Sequence, residues 1–508
     1  MKTILILMDT LQRKMIHAYN PGSEAITPNI DRLAARSAVF DQHYIGSAPC
    51  MPARRDILTG RLNFLERNWG PVEPFDVTFP ALLRQRGVFS HMVTDHYHYT
   101  ELGGEGYLQQ YNTWELFRGQ ESDPWASRVK DPEMPAEFTG RVNRQNLLNR
   151  AQYHTDADYP TPKTFAAAAQ WLRDNEGADN FFLQVEVFDP HEPFETTEEF
   201  KKLYPDGFKG LYDWPRYAEM GEQETPEAIR HLRNLYMATL TMADKWLGKL
   251  LDEMDRQSLW KDTLVIFTSD HGHMLGEHHR TGKNLFHAWN EMAQIPLFVH
   301  LPGDERAGER INAVTQNIDL FPTVLQWFGA EKELESVPYP VHGRNLLPLL
   351  KGETEKVRDY ALYGWFGQPV NITDGQYTYF RAAVPENAPL YWYGSILTTF
   401  PRYLGKGLPD GALTAGDYLP WAGMPVYRID QAAVNRLAAP VMAKMGMKPD
   451  PDLQTSRLFD IRTDNDQLHP VADPGLEEKM VEALVETMQA HGAPQEQYAR
   501  LGLEGYLR

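Results

Sequence analysis

Four strand-like runs constrain this chain more than any other feature: residues 3–8, 88–94, 181–188 and 264–268. Helical stretches stand between them. Thr27-Pro28 opens one that runs to about Ser37, with Ile30, Leu33 and Ala34 on one face. Thr78 is placed to cap another, which stops near Gly87. An alanine-rich helix is predicted from Thr164 to Asn175, with Gly177 just beyond it, and a long amphipathic one from Ile229 to Met254. Pro296 to Leu301 reads as one more strand. An apolar run without polar alternation, such as 3–8, suits a strand covered on both faces. Strands alternating with helices specify an α/β fold, a doubly wound and mostly parallel sheet flanked by helices. Ligands bind such sheets beyond the carboxyl ends of the strands. That rule gathers Asp9, the group Asp95-His96-Tyr97-His98, His191 and Asp270-His271 at one edge, although they are far apart in sequence.

The single cysteine of the 508 residues lies in Gly46-Ser47-Ala48-Pro49-Cys50-Met51-Pro52-Ala53-Arg54-Arg55-Asp56-Ile57-Leu58-Thr59-Gly60-Arg61. Pro52 suits a first helical turn, Ala53 to Leu58 continue it, and Gly60 ends it. Cys50 therefore stands at a helix N-terminus, where free amides favour negative charge, and Arg54 points back from one turn on. Two readings follow from the residues alone. Cys50 is a small buried hydrophobe, or it is a thiolate nucleophile whose pKa the helix end lowers.

A chain of this length buries a large core and holds one big domain with a smaller one. One cysteine excludes an intramolecular disulfide and suits a reducing compartment. The N-terminal apolar run is too short for a signal peptide and is interrupted by Asp9, so cytoplasmic location is expected, or periplasmic or secreted if a leader precedes it. No other run is long enough to span a bilayer, so no membrane partner is expected. The net charge of −19 disfavours nucleic acid, and an anionic substrate needs a local basic pocket.

The organisation predicted is a catalytic domain over 1–355, with lid-like insertions near 101–160 and 195–225, and a smaller α+β C-terminal subdomain over 356–508 with an insertion near 385–430. The subdomain is marked by short strands with a turn at Asp374-Gly375, a strand at Leu458-Phe459-Asp460 and a helix from Glu477 to His491.

Asp9, Asp270 and His271 are candidate metal ligands. Two carboxylates with one imidazole suit Ca²⁺, Mg²⁺ or Mn²⁺ more than Zn²⁺. The histidines at 273, 278 and 279 lack zinc-ligand spacing and a cysteine partner, and are expected beside the site as loop residues. Lys283 near this edge can neutralise an oxyanion, and His191 can protonate a leaving oxygen. Trp114, Arg118, Trp125 and His96 suggest a pocket with aromatic walls and positive charge.

Cys50-Met51-Pro52-Ala53-Arg54, followed by Leu58-Thr59-Gly60-Arg61, resembles the signature of the type I sulfatases of the alkaline phosphatase superfamily. Asp270-His271-Gly272 with Leu275-Gly276-Glu277-His278, then Lys283, resembles the family's second metal-binding stretch. Ile295 to Val299, Asp319 to Leu325, Gly343 to Leu350 and Leu458 to Ile461 with Asn465-Asp466 are similar to later family motifs, so the resemblance covers most of the chain.

It implies oxidation of Cys50 to formylglycine by a formylglycine-generating enzyme, and a hydrate that attacks sulfur. It implies one divalent cation, Ca²⁺ first with Mn²⁺ or Mg²⁺ as alternatives, held by Asp9, Asp270, His271 and residue 50. Arg54 would help hold the nucleophile, Lys283 would bind substrate oxygens and His191 would be the acid. His96, His98 and Arg118 would bind substrate, His96 or His98 serving as base for sulfate release. The expected substrate is a small-molecule or saccharide sulfate ester.

Two positions depart from the pattern. Thr10 stands where many sulfatases carry a second aspartate, and Thr94-Asp95-His96-Tyr97-His98 where many carry Gly-Lys-Trp-His. Both departures resemble the phosphonate monoester and phosphodiester hydrolase branch, which is the alternative reading; Asp95 for lysine suits a less charged group. The second alternative is a non-catalytic anion-binding relative with an unmodified Cys50.

Overall fold

The computed structural model describes residues 1–507 except 284–285, 399–402, 405–406 and 445–449. Parts of the insertion expected near 385–430, together with Arg508, lie outside the described residues.

The central strand is β1 (Lys2–Met8). Its side chains alternate between two cores: Ile4, Ile6 and Met8 pack into one, Leu5 and Leu7 into the other. A strand with two apolar faces needs helices on both sides, and it has them. α1 (Pro28–Ala35) covers the first face with longer helices described below. In chain order come β2 (Ala38–Tyr44), the two-residue β3 (Ser47–Ala48), α2 (Cys50–Thr59), β4 (Phe89–Thr94) and β5 (Thr113–Leu116). Then follow α3 (Pro160–Asp174), β6 (Phe181–Val187), α4 (Pro226–Arg256), β7 (Thr263–Ser269), β8 (Leu297–His300) and β9 (Arg310–Gln316). The eight-stranded sheet has the order β9-β2-β8-β7-β1-β6-β4-β5. All its pairings are parallel except those of β8, which runs antiparallel to both β7 and β2.

α3 and α4 lie on the Ile4 face, and α2 contributes Met51, Ile57 and Leu58 to the Leu5 face. α3 begins at Pro160, a turn earlier than the sequence suggests, because Pro160 and Pro162 occupy first-turn positions that need no amide bond. Thr78 stands at a helix N-cap position, but its hydroxyl donates to Gln110 Oε1 (2.8 Å) instead of capping. Strands β2 and β9 were not evident from the sequence. Each mixes polar residues into its run, as in Phe40-Asp41-Gln42-His43, so neither shows the uninterrupted apolar pattern of β1.

A second, five-stranded sheet is built from β10 (Ala361–Trp365), β11 (Val370–Thr373), β12 (Tyr377–Arg381) and β13 (Arg457–Asp460), with β3 at its edge. α5 (Pro474–Ala490) packs on it through Met480, Leu484 and Met488. Gly364 and Trp365 pair with Ser47 and Ala48, so this sheet holds the chain two residues before Cys50.

The chain leading into Cys50 is also braced by a buried carboxylate on α2. Asp56 accepts from Ser47 Oγ (2.9 Å), Ser47 N (2.5 Å) and Asn63 N (3.1 Å). A side chain at Gly46 would meet Asp56 Oδ2 at 2.3 Å, which explains glycine there. Gly60 closes α2 in the left-handed conformation (φ 66°). Asp56→Ala leaves buried donors without a partner, at a cost of about 1–3 kcal/mol for each unsatisfied group. A clear fall in the thermal midpoint is expected, and an unchanged midpoint contradicts the brace.

Candidate active site

Two strands end and one helix begins at the same edge, and the residues there meet. Asp9 follows β1, Asp270 and His271 follow β7, and Cys50 is the first residue of α2. The candidate ligand atoms of Asp9, Cys50, Asp270 and His271 all lie within 4.8 Å of one another, and all four residues are buried. Among the described residues this is the one group of three or more such side chains able to hold a metal ion. His273, His278 and His279 are outside it. His278 stacks on Trp289 instead (ring centroids 4.1 Å).

The donor set fits a divalent cation on three counts. His271 Nδ1 donates to the carbonyl of Gly272 (2.8 Å), so the Nε2 lone pair faces the cluster, 3.2 Å from Cys50 Sγ. Carboxylates dominate, which suits a hard ion. Around the cluster, among the described residues, Asp9, Asp270, Glu186 and Glu192 face two fixed cations, Arg54 and Lys283.

Arg54 is almost wholly buried, and each of its three side-chain nitrogens donates a hydrogen bond. Nη2 donates to Asp9 (2.8 Å), Nη1 to Asp270 (2.6 Å), Nε to Glu186 (2.8 Å), and Nη1 also to the carbonyl of Cys50 (3.1 Å). Arg54 thus aligns the two carboxylates and also bonds the backbone of residue 50. Glu186 was not singled out from the sequence. Its signal was an acid inside the buried run Phe181-Phe182-Leu183-Gln184-Val185-Glu186-Val187, where a charge needs a partner. Tyr99 Oη donates to it as well (2.9 Å).

Thr10 adopts φ 62°, a conformation rare for a β-branched residue. Its amide donates to Asp270 Oδ1 (2.9 Å) and its hydroxyl to Asp9 Oδ1 (2.5 Å). Lys283 Nζ reaches Thr10 Oγ1 (3.1 Å) and Cys50 Sγ (3.6 Å), with Glu192 at 3.9 Å. Burial opposes the charge on Lys283, but Cys50, Glu192 and Asp9 hold its pKa above the usual value. Glu192 also lies 3.2 Å from His273 Nε2.

Burial works against the charge on Asp9, yet Arg54, Lys283 and His271 outweigh it and hold its pKa below the ordinary value. The stabilisation from Asp9 is therefore complete above about pH 4 and is lost as pH falls through the lowered folded value. The Cys50 thiol is pushed well up by burial and by Asp9, against the opposing effect of Lys283.

His191 is buried, stacked on Phe188 (4.0 Å), and its Nδ1 donates to the carbonyl of Glu192 (2.6 Å). That bond fixes the tautomer and leaves the lone pair on Nε2. Burial holds the imidazole well below its usual pKa, with Lys283 acting in the same direction and Glu192 against it. His96 is fully buried, with Nδ1 unpartnered and 3.6 Å from Asp9 Oδ2. His98 packs edge-on against His96 (5.1 Å) and bonds Glu101 (2.7 Å).

Several expected pocket residues are placed otherwise. Arg118 is held by Asp123 through Nε (2.7 and 3.0 Å), and none of its hydrogen bonds reaches the cluster. Trp114 lies exposed on the edge strand β5, and Trp125 stacks on Tyr153 (6.1 Å) at the surface. Asp95 is fully buried and accepts from Thr161 Oγ1 (2.7 Å), Gln120 (2.7 Å) and the Phe188 amide (2.8 Å), so it braces loops instead of lining an anion site.

Fold and cluster define a class: an α/β enzyme with a metal-competent centre at the carboxyl edge of its sheet. The chain belongs to the sulfatase family, whose family model matches residues 2–330; sulfatases are hydrolases of sulfuric esters. It is 27% identical over 379 residues to the multifunctional alkaline phosphatase superfamily protein PehA of Trinickia caryophylli, covering 64% of this chain and 71% of that protein. It is 26% identical over 416 residues to a choline-sulfatase of Rhizobium meliloti, covering 75% and 78%. A solved phosphonate monoester hydrolase of Agrobacterium radiobacter shares the fold, with TM-score 0.67 and 19% identity over 96% of both chains.

Arg54→Met removes the cation bonded to all three buried carboxylates and is expected to cost about 3–5 kcal/mol. Adding Glu186→Gln removes one of the stranded charges and is expected to recover part of that loss. Thermal denaturation of both variants is the check; equal midpoints contradict the shared network.

Proposed function

We propose that this chain hydrolyses a sulfate ester, with residue 50 as the nucleophile after oxidation of Cys50 to formylglycine. The observation that carries the reading is the placement of Cys50 Sγ among Asp9, Asp270 and His271, with Lys283 Nζ 3.6 Å away. A formylglycine-generating enzyme is the maturation partner the reading requires. The substrate is a small-molecule or saccharide sulfate ester; because carboxylates outnumber fixed cations at this edge, a bound divalent cation would be needed beside Lys283 to attract an anion to a chain of net charge −19.

Residue 50 in its oxidised, hydrated form supplies a hydroxyl nucleophile with a second hydroxyl beside it. Asp9, Asp270, His271 and residue 50 would hold one divalent cation, Ca²⁺ by the hardness of the donors with Mn²⁺ or Mg²⁺ as alternatives; when bound it supplies positive charge beside the attacked group. Arg54 keeps Asp9 and Asp270 aligned. Lys283 offers a buried, fixed cation for ester oxygens. His191 receives a proton at Nε2 and passes it to the leaving oxygen. His96 is placed to take a proton during sulfate release, and His98 to contact the ester at the rim.

A second reading, hydrolysis of a phosphonate monoester or phosphodiester by the same residues, is favoured by the relative PehA, whose name calls it multifunctional. Protein co-expressed with the maturation enzyme separates the two when aryl sulfate and aryl phosphonate turnover are compared. The mass of the Cys50 peptide is measured on the same sample. Activity from a preparation whose Cys50 is wholly an unmodified thiol overturns the formylglycine assignment.

Roles of His191 and Lys283 separate across leaving groups. His191→Ala is expected to lower kcat/KM most for poor leaving groups and little for an activated aryl ester. Lys283→Ala is expected to slow both by about 10²–10³-fold, the scale of losing one electrostatic stabiliser. Because burial lowers the His191 pKa, wild-type turnover of poor leaving groups should rise as pH falls below neutrality. A flat His191→Ala deficit, with a Lys283→Ala deficit that grows with leaving-group pKa, reverses the assignment.

A further inference from the structure

Outside the metal-competent centre lies a cleft of about 340 Å³ that no catalytic role uses. Its lining is unusual in composition. Six carboxamide side chains face it, those of Asn68, Gln368, Asn387, Gln431, Asn435 and Gln454, with Phe366 and Leu390 among the apolar walls. Among the described residues, Asp450 is its one charged lining residue, and Arg280 pairs with it. The cleft therefore carries no uncompensated charge, in a chain whose net charge is −19.

Its hydrogen-bonding capacity is only partly used. Gln431 is 8% exposed, and its Oε1 is buried without a partner although Nε2 donates to Asn435 Oδ1 (2.8 Å). A buried acceptor left unpaired is costly, and a ligand donor would satisfy it. Among the described residues, the side-chain amides of Gln368 and Gln454 make no hydrogen bond. Asn387 is pre-set, by contrast: it donates to the carbonyl of Gly367 (2.8 Å) and accepts from Arg500 (3.2 Å).

Two rim residues tie the cleft to the catalytic edge. Asp450 pairs with Arg280, at the start of the strand Arg280–Gly282 that leads into Lys283. Asn68 precedes Trp69, whose ring stands edge-on to His98 at 4.9 Å.

We propose that this cleft is a subsite for neutral sugar rings, and that it receives the unsulfated part of a saccharide whose sulfated unit is at residue 50. Each amide offers both donors and acceptors, which matches the mixed donor and acceptor character of ring hydroxyls. Apolar walls beside such amides accept the C–H face of a sugar, and the volume lies within the range of ordinary ligand sites. The assignment of the sugar as substrate rests on the sulfatase reading; binding of the sugar does not.

Saturation-transfer NMR on the full chain with unmodified Cys50 tests binding, using cellobiose, lactose, maltose and diacetylchitobiose as probes and triglycine as the amide control. At least one disaccharide is expected to bind, and its signal is expected to disappear in both Gln431→Leu and the milder Gln454→Ala. Binding of triglycine alone, or of no disaccharide, overturns the subsite. In matured enzyme, Gln431→Leu is expected to raise KM about tenfold for a sulfated disaccharide, the equivalent of one lost hydrogen bond, while leaving an aryl sulfate unaffected. An equal effect on both substrates overturns the inference. Wild-type enzyme inactive on every sulfate ester overturns the sulfatase reading and leaves the NMR result standing.

Discussion

One guanidinium organises this molecule. Arg54 is buried between Asp9, Asp270 and Glu186, which come from the ends or interior of three neighbouring strands. Three carboxylates that close would repel one another and raise their own protonation cost in a low-dielectric interior. Arg54 offsets that repulsion with a hydrogen bond to each, and because it rides on α2 it fixes the distance between the helix and the sheet edge. Cys50 starts the same helix, so the interaction that neutralises the carboxylates also sets where the sulfur lies.

The second sheet completes this placement from the other side. Its edge strand Ser47–Ala48 ends two residues before Cys50, and Asp56 locks Ser47 to the turn at Asn63. A residue held between a sheet on one side and a buried helix on the other has little freedom to move. That rigidity suits a nucleophile that must meet an ester in one orientation. It also explains why the C-terminal part of the chain matters to the site although it contributes no residue to the metal-competent cluster.

Much of this was legible in the sequence because it follows from period and topology. The uninterrupted run at 3–8 and the residues that end strands are local features, and the rule about carboxyl ends converts them into a neighbourhood. What escaped was set by tertiary contact. β2 and β9 carry polar residues that only their neighbours make tolerable. Glu186, an acid within the apolar run 181–188, is made tolerable there by Arg54 and Tyr99. Arg118 and Asp95 were read as pocket charges, yet each is satisfied by partners that no spacing reveals: Asp123 for one, Gln120 and Thr161 for the other. Trp114 and Trp125 illustrate the same limit, since aromatic residues in an insertion serve equally as surface cover.

Asp9, Asp270, His271 and residue 50 converge as the proposed divalent-cation centre. Elemental analysis of purified protein, dialysed against each of Ca²⁺, Mn²⁺ and Mg²⁺ in turn, tests it most directly. One equivalent of a hard cation per chain is predicted, lost in Asp9→Asn and in Asp270→Asn while circular dichroism shows both variants folded. Folded wild-type protein that binds none of the three ions, or variants that keep a full equivalent, would contradict the centre.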